Sequence, residues 1–361
     1  MLIYLTNSLI TDHPETATQI KKCVRNLCIA YEESKHLLLG DYDVIEWCAS
    51  QLMDDTCQIV LNKLKNEYAT SAIPSTITEY VEVGNWETKE KMEINGIIIH
   101  KVPFSFFTDS MCCQKADVIV EDENDFGFYI HVLKWYISGM RYNTSFKTVH
   151  GGGSLMGRTI STNLENERIA LAFVDTDVRF PGDIIKENST CDNCKKAQRE
   201  VEDKSIFHLY ILDLHEIENL LPLDIVTSQD WNQEDLRHFR YIIDADLNGS
   251  ILRYFDIKKG ITKNNELINN PAYLNFAEVC FTHNPELSNG LTFAEKIDNL
   301  AENGIVYPRL GRPLKKVIDY FNNNDITHST FSLLPFQEIE WRNIGQNLLN
   351  FGIARTREAL N

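Results

Sequence analysis

The chain has 361 residues, of which 43% are hydrophobic and 24% are charged, and this globular composition excludes disordered and fibrous proteins. At about 150 residues per domain, the length predicts two domains or three. The 35 basic and 52 acidic residues give a formal net charge of −17, which excludes the binding of nucleic acid or anionic lipid through bulk positive charge.

The first residues and the cysteines of the sequence indicate the cellular compartment of the protein. The opening residues MLIYLTNSLI lack the charged region and the small-residue cleavage site of a secretory signal. The nine cysteines are an odd number, so we expect reduced thiols and a cytoplasmic protein. Uncharged apolar runs such as residues 169–174 are shorter than the roughly 18 residues that span a bilayer, and we expect no membrane partner.

Residues 1–110 predict a mixed, helix-rich N-terminal domain. An apolar strand over residues 1–10 precedes two segments with apolar residues at helical spacing, about 15–37 and 43–68. From residue 76 to about residue 107 the sequence alternates and is rich in β-branched residues, which favours strands. Asn95-Gly96 is a typical turn pair, so we expect a hairpin near the end of this domain.

Residues 111–224 predict a central parallel sheet, because strand-like and helix-like segments alternate at the lengths that crossover connections require. The predicted strands are ADVIVE (116–121), FKTVH (146–150), RIALAFVD (168–175) and SIFHLYILD (205–213). Helices are predicted over about 124–138 and 154–165, and the polar stretch 183–204 is predicted to be a loop or a short helix.

Residues 225–361 predict a helical C-terminal region. Amphipathic segments lie near residues 232–244, 272–282, 291–303, 312–323 and 336–359, separated by Asn, Gly and Pro. The apolar helix 336–354 could supply the dimer surface of a homo-oligomer. We therefore predict an α/β protein whose central sheet is flanked by helices.

Acidic residues follow three of the predicted central strands. Glu121 follows the first, Asp175 and Asp177 follow the third, and Glu216 and Glu218 follow the fourth. The carboxyl ends of parallel strands share one edge, where such folds bind ligands. Crowded carboxylates repel unless a cation neutralises them, and oxygen ligands suit Mg²⁺ or Mn²⁺. We predict a divalent-metal site for phosphodiester chemistry; the alternative is that these residues are solvated or cap helices.

Two further groups predict binding of an anionic substrate. The run His150-Gly151-Gly152-Gly153-Ser154 follows a strand, so its backbone N–H groups could surround an anion, or it could be only a tight turn. It matches neither the P-loop nor the dinucleotide-binding pattern. The best nucleic-acid contacts on this acidic chain are basic residues, which could otherwise form a solvated surface: Lys258, Lys259, Arg309 and Arg312.

Two of these motifs resemble the Toprim domain of topoisomerases, primases and OLD-type nucleases. Residues 118–129 (VIVEDENDFGFY) resemble the first motif and residues 173–177 (FVDTD) the second, while residues 216–222 (EIENLLP) are similar to free-standing Toprim-like nucleases of bacterial anti-phage systems. The resemblance covers only the central segment. It departs at Asp122, where the family commonly has Gly.

The resemblance implies a divalent-metal-dependent nuclease that cleaves DNA or RNA with Mg²⁺ or Mn²⁺. Glu121 would be the general base or a metal ligand, and Asp175 and Asp177 would be metal ligands. Glu216 or Glu218 would support them. It further implies an anti-phage effector controlled by a protein partner such as an ATPase. The alternative function is a non-cleaving Toprim-fold interaction subunit of a defence or repair complex.

Two short motifs give other interpretations. Cys191 and Cys194 have the CxxC spacing of a redox pair or half a zinc site, although no second pair is apparent. Asp244 and Asp246 repeat the Asp-x-Asp pattern, and we interpret them as the surface end of a helix or strand rather than as a second group of metal ligands.

Overall fold

Strands and helices alternate along this chain, which is an α/β protein. The computed structural model describes residues 1–51, 53–70, 72–165, 167–201, 205–245 and 250–355, with the backbone alone for residue 245. The strands are β1 (Leu2–Leu5), β2 (Leu37–Gly40), β3 (Glu79–Gly84), β4 (Glu90–Ile94), β5 (Ile97–Pro103), β6 (Ala116–Val120), β7 (Asn143–Thr144), β8 (Phe146–His150), β9 (Ile169–Val174), β10 (Ile206–Ile211), β11 (Ile261–Thr262), β12 (Ile305–Tyr307) and β13 (Ile353–Ala354).

The α-helices flank these strands, and in the described residues none combines the length and the apolar character needed to cross a bilayer. They are α1 (Pro14–Glu32), α2 (Tyr42–Ser50), α3 (Asp55–Glu67), α4 (Glu123–Tyr136), α5 (Met156–Leu164), α6 (Thr190–Val201), α7 (Leu223–Ser228), α8 (Gln233–Ala245), α9 (Asn265–Asn269), α10 (Pro271–Thr282), α11 (Pro285–Ser288), α12 (Phe293–Asn299), α13 (Leu314–Asn323) and α14 (Pro335–Gly352).

The first sheet has five strands in the order β2-β1-β3-β5-β4. All neighbouring pairs are parallel except β4 and β5, which form the expected hairpin through Asn95-Gly96, both with positive φ. The sequence prediction for this part was wrong at one strand. The predicted helical segment ends at about residue 37 and no element is predicted for residues 38–40, whereas Leu37–Gly40 form β2, in which Leu37 pairs with Leu2 and Gly40 pairs with Leu5. The N-terminal part is therefore richer in strands than predicted.

The second sheet contains the predicted central strands in the order β10-β9-β6-β8, all parallel. The two inner strands, β6 and β9, are buried along their length because both faces of the sheet are covered, whereas the edge strand β8 is partly exposed. Val118, Val120 and Phe173 belong to the core that includes α4 and α14. Ile119 and Val174 belong to a second apolar cluster that includes α5 and α6. The predicted polar stretch 183–204 contains α6, a longer helix than expected.

The C-terminal part is helical, as predicted, with short pairings of β11 with β12 and of β7 with β13. Its last helix, α14, packs inside the chain against α4, β3 and β9. Trp341, Ile344 and Leu348 on this helix are fully buried. The prediction that helix 336–354 supplies a dimer surface was therefore wrong, since its apolar face is already covered within the chain.

Side chains of α14 also fix the segment that follows β10. Gln337 Nε2 donates to the carbonyl oxygens of Asn219 and Leu221, each at 2.9 Å. Trp341 Nε1 donates to the carbonyl oxygen of Leu220 at 2.9 Å. These buried hydrogen bonds satisfy backbone groups of the 3₁₀ turn Ile217–Leu220, so α14 determines where that turn lies.

We predict that Trp341→Ala lowers the free energy of unfolding by about 3–5 kcal/mol, because it leaves a large cavity and an unpaired carbonyl at Leu220. Ile339→Ala, on the exposed side of the same helix, is the control and should change it by less than about 0.5 kcal/mol. Urea denaturation followed by circular dichroism measures both changes. Equal losses in the two variants would contradict the packing of α14.

Candidate functional site

The acidic residues predicted from the sequence lie at the carboxyl edge of the second sheet. Glu121 directly follows β6, and Asp175 directly follows β9. Burial raises the pKa of Asp175 well above its ordinary value, and the charges of Glu121, Asp177 and Glu216 raise it further. Carboxylates that change each other's pKa in this way are close in space, so the structure brings these four residues together.

Glu121 has the most informative environment of the group. Its Oε1 atom is buried and has no hydrogen-bond partner. Burial, together with the negative charges of Asp177 and Glu216, raises the pKa of Glu121 to about 7, although the positive charge of Lys258 opposes the shift. A buried carboxylate oxygen without a donor is suited to binding a cation, so this residue fits the role of a metal ligand.

Asp122 and Asp125 start helix α4. Asp122 Oδ1 accepts a hydrogen bond from the backbone N–H of Asn124 at 2.8 Å, and Asp125 Oδ2 accepts one from the backbone N–H of Asp122 at 3.0 Å. This capping role gives a structural reason for an aspartate at position 122. Burial raises the pKa of Asp125 to about 7, with a contribution from Glu121. Asp125 therefore joins the acidic group.

The turn that carries Asp175 and Asp177 is attached to the segment after β10. Thr176 Oγ1 donates to the carbonyl oxygen of Leu214 at 2.6 Å, and the backbone N–H of Asp177 donates to the carbonyl oxygen of His215 at 3.0 Å. Asp177 has φ of 55°, a left-handed conformation that Asp tolerates better than most residues. These contacts place the Asp-x-Asp turn beside Glu216.

Glu216 and Glu218 are both buried, and Lys258 lies between them. Its Nζ is 3.1 Å from Glu216 Oε2 and 3.3 Å from Glu218 Oε2. Lys258 was predicted as a substrate contact, and the structure instead makes it a counter-ion of the acidic group. Of the two glutamates, Glu216 raises the pKa of both Glu121 and Asp175, whereas Glu218 raises the pKa of Asp125. Glu216 is thus the better placed supporting acid.

Asn219 holds the segment that contains Lys258 against the turn that contains Glu216 and Glu218, which we call the acidic turn. Its Oδ1 accepts from the backbone N–H of Glu216 at 2.8 Å, and its Nδ2 donates to the carbonyl oxygens of Leu252 and Phe255 at 2.6 and 2.8 Å. The side chain is 1% exposed. One buried amide therefore links Glu216 to a segment that is more than thirty residues further along the chain.

The sequence analysis missed two residues near Glu216, which are His215 and Asp256. His215, Glu216 and Asp256 place one ligand atom each within 4.8 Å of one another, a spacing that could hold a metal ion. His215 could have been found, because it directly precedes Glu216. Asp256 has no such signal, since it comes from a separate segment and lies in no motif.

The glycine-rich run lies beside Glu121, because His150 pairs with Val120 in the sheet. The predicted anion cradle was wrong at one position. The backbone N–H of Gly151 donates to the carbonyl oxygen of Val120 at 2.6 Å and is not available to a ligand. His150, Gly152 and Ser154 are exposed, and Gly152 has a positive φ of 72°.

The remaining basic residues lie on two segments that pack against each other. The backbone N–H groups of Leu310 and Gly311 donate to the carbonyl oxygen of Ile257 at 3.1 and 3.2 Å. The segment of Arg309 and Arg312 is therefore packed against the turn that contains Lys258 and Lys259. The side chains of Lys259, Arg309 and Arg312 are exposed, and we call these three residues the basic rim.

Cys191 and Cys194 do not form an open metal site. Both lie in α6 and are buried in the apolar cluster between α5, α6 and the sheet. Burial raises the pKa of Cys191 to about 11 and that of Cys194 to about 12, which disfavours the thiolate that zinc and redox chemistry require. Asp244 is an exposed residue of α8, and Asp246 lies outside the described residues.

Comparison of the chain with protein-family models, with curated proteins and with solved structures found no match.

We predict that Glu121→Gln stabilises the metal-free protein at high pH. The pKa of Glu121 is raised in the folded state, so its contribution to stability is fully present below its unfolded value of about 4.5 and is lost as pH rises through about 7. The variant should therefore exceed the wild type by about 1–3 kcal/mol at pH 8 and by nothing at pH 4.5.

Urea denaturation in the presence of EDTA at several pH values measures this difference. Glu165→Gln, at an exposed position outside the acidic group, is the matched control and should show no trend with pH. A Glu121→Gln protein that is less stable than the wild type at pH 8 would show that the carboxylate is already neutralised in the metal-free state.

Proposed function

We propose that this chain is a Toprim-type, divalent-metal-dependent nuclease that cleaves phosphodiester bonds of DNA or RNA. The observation that carries the proposal is the meeting of acidic residues from three parallel strands, with the buried and unpartnered Oε1 of Glu121 among them. Oxygen donors of this number and charge suit Mg²⁺ or Mn²⁺.

Each residue of the acidic group has a separate role in this proposal. Asp175, Asp177 and Glu216 hold the cation, which when bound polarises the scissile phosphate and lowers the pKa of the attacking water. The pKa of Glu121 is about 7 in the metal-free protein, and the charge of a bound cation would lower it, so the ionised carboxylate could accept a proton at Oε1 at neutral pH. Asn219 positions Glu216 but does not contact the reacting atoms.

The basic rim is a second observation in favour of a polyanionic substrate. Lys259, Arg309 and Arg312 are exposed beside the acidic group, on a chain whose net charge of −17 repels nucleic acid elsewhere. Local positive charge of this kind contacts backbone phosphates without reading their sequence. The rim would hold the strand next to the carboxylates that hydrolyse it.

The alternative is a non-cleaving Toprim-fold interaction subunit. The observation in its favour is Lys258, whose ammonium group already neutralises part of the charge of Glu216 and Glu218 without a metal. The role in anti-phage defence and the regulatory partner stay predictions of the resemblance.

The test incubates supercoiled plasmid DNA and total tRNA with the purified protein in Mg²⁺ or Mn²⁺. We expect cleavage of one substrate, abolished by EDTA and lowered on the order of 10²-fold or more by Glu121→Gln and by Asp175→Asn. Asp122→Asn is the matched control, because it keeps the oxygen that caps α4 and lies outside the metal ligands.

Two outcomes would overturn the proposal. Undiminished cleavage in both Glu121→Gln and Asp175→Asn would show that another site or a contaminant is responsible. Absence of divalent-metal binding by the folded wild type, measured by calorimetry, would favour the interaction subunit.

A further inference from the structure

His215 lies deep in the structure and its imidazole points at two carboxylates. The residue is 3% exposed. Its Nε2 atom is 3.4 Å from Asp256 Oδ2 and 3.9 Å from Glu216 Oε1. Nε2 makes no hydrogen bond of good geometry in this buried position, and it would form an ion pair with Asp256 only if the ring were protonated.

The other ring nitrogen fixes the tautomer of this histidine. Nδ1 is 3.0 Å from the backbone carbonyl oxygen of Val178, which can only accept a hydrogen bond. Nδ1 therefore carries the proton, and in the neutral ring the lone pair is on Nε2. In this neutral form the lone pair faces two carboxylates, and a cation between the three groups would remove the resulting repulsion. Histidines that bind metals commonly have such a backbone acceptor on the second nitrogen.

The two carboxylates are held so that one oxygen of each faces the histidine. Asp256 Oδ1 accepts from the backbone N–H of Lys259 at 2.7 Å, which leaves Oδ2 toward His215. Glu216 Oε2 faces Lys258 at 3.1 Å, which leaves Oε1 toward His215. The three ligand atoms lie within 4.8 Å of one another. A cation can therefore bind without breaking the ion pair of Lys258.

We propose that His215, Glu216 and Asp256 form a second cation site, which adjoins the site of Glu121 and Asp175, shares Glu216 with it, and prefers a transition-metal dication such as Mn²⁺ or Zn²⁺ to Mg²⁺. An imidazole nitrogen raises affinity along the series from Mn²⁺ to Zn²⁺, whereas Mg²⁺ selects oxygen ligands and retains its water. Three protein ligands leave a position open to water or substrate.

Lys259 controls access to this site. Its Nζ lies 3.9 Å from Glu216 Oε1 and 3.7 Å from Asp256 Oδ2, and its side chain is 73% exposed. An exposed lysine is held only weakly by such pairs and can move into solvent. A dication at the site would displace Lys259, which would then be free to contact a phosphate as part of the basic rim.

The binding of a metal ion here is independent of cleavage, and only its use in catalysis rests on the proposed function. The test therefore uses Mn²⁺ alone. Calorimetry gives the stoichiometry and affinity, and pulsed electron paramagnetic resonance detects the ¹⁴N coupling of an imidazole bound to Mn²⁺. The double variant Glu121→Gln/Asp175→Asn removes carboxylates of the first site, so that the second is observed separately.

In that double variant we expect one bound Mn²⁺ per chain with ¹⁴N coupling. Adding His215→Gln should abolish the coupling, and adding Asp256→Asn should weaken binding by about tenfold or more. Adding Lys259→Gln should strengthen binding, because a competing positive charge is removed. Mg²⁺ should displace the bound Mn²⁺ only at concentrations about tenfold or more above those of Zn²⁺.

Folding of each variant is checked by circular dichroism, and if His215→Gln does not fold, Asp256→Asn and the surface variant Lys259→Gln decide the result. The proposal is overturned if the folded protein binds Mn²⁺ without ¹⁴N coupling, or if Lys259→Gln weakens binding. An imidazole that is protonated rather than metal-bound would give the first of these results. Coupling without nuclease activity would sustain this site and count against the proposed function alone.

Discussion

Repulsion between carboxylates at one edge of the second sheet is the constraint on which the rest of this structure depends. Acidic residues follow three parallel strands, and burial raises the pKa of Glu121 and Asp125 to about 7, with a further contribution from the repulsion between neighbouring carboxylates. The fold balances this charge with nearby positive groups, of which Lys258 is the closest, between Glu216 and Glu218. Burial and the remaining repulsion at Glu121 lower stability at high pH, and a divalent cation at this edge would relieve both.

Packing far from the acidic edge holds these charges together. Helix α14 donates buried hydrogen bonds to the 3₁₀ turn after β10, and Asn219 in that turn then fixes both Glu216 and the segment of Lys258. The segments that complete the site therefore come from outside the central sheet. A central domain cut at residue 224 would lose α14, Lys258 and Asp256, so the predicted boundary does not separate the site from the C-terminal region.

The sequence predicted the parts of the fold that depend on short-range pattern. Strands β6, β9 and β10 are apolar runs that are buried on both faces, and the acidic residues that follow them were expected at one edge because parallel strands end there. Strand β2 was missed because it has only four residues, too few to show an alternating pattern, and pairing with β1 makes them a strand. Lys258 was assigned to substrate binding and Asp256 was not assigned at all, since their contacts with the acidic group depend on long-range interactions made through Asn219 and His215.

The first sheet contributes to the site indirectly, through strand β10. Glu79 of β3 is 2% exposed, accepts a hydrogen bond from His100 of β5 at 2.7 Å and faces His208 of β10 at 3.6 Å. Burial would raise the pKa of Glu79, but the hydrogen bond from His100 and the charge of His208 lower it below its ordinary value. An ionised, buried glutamate thus joins the two sheets at the strand whose end leads to His215 and Glu216. Because removing one partner of a buried charge pair leaves the other uncompensated, the contacts of Glu79 with His100 and His208 couple the first sheet to strand β10.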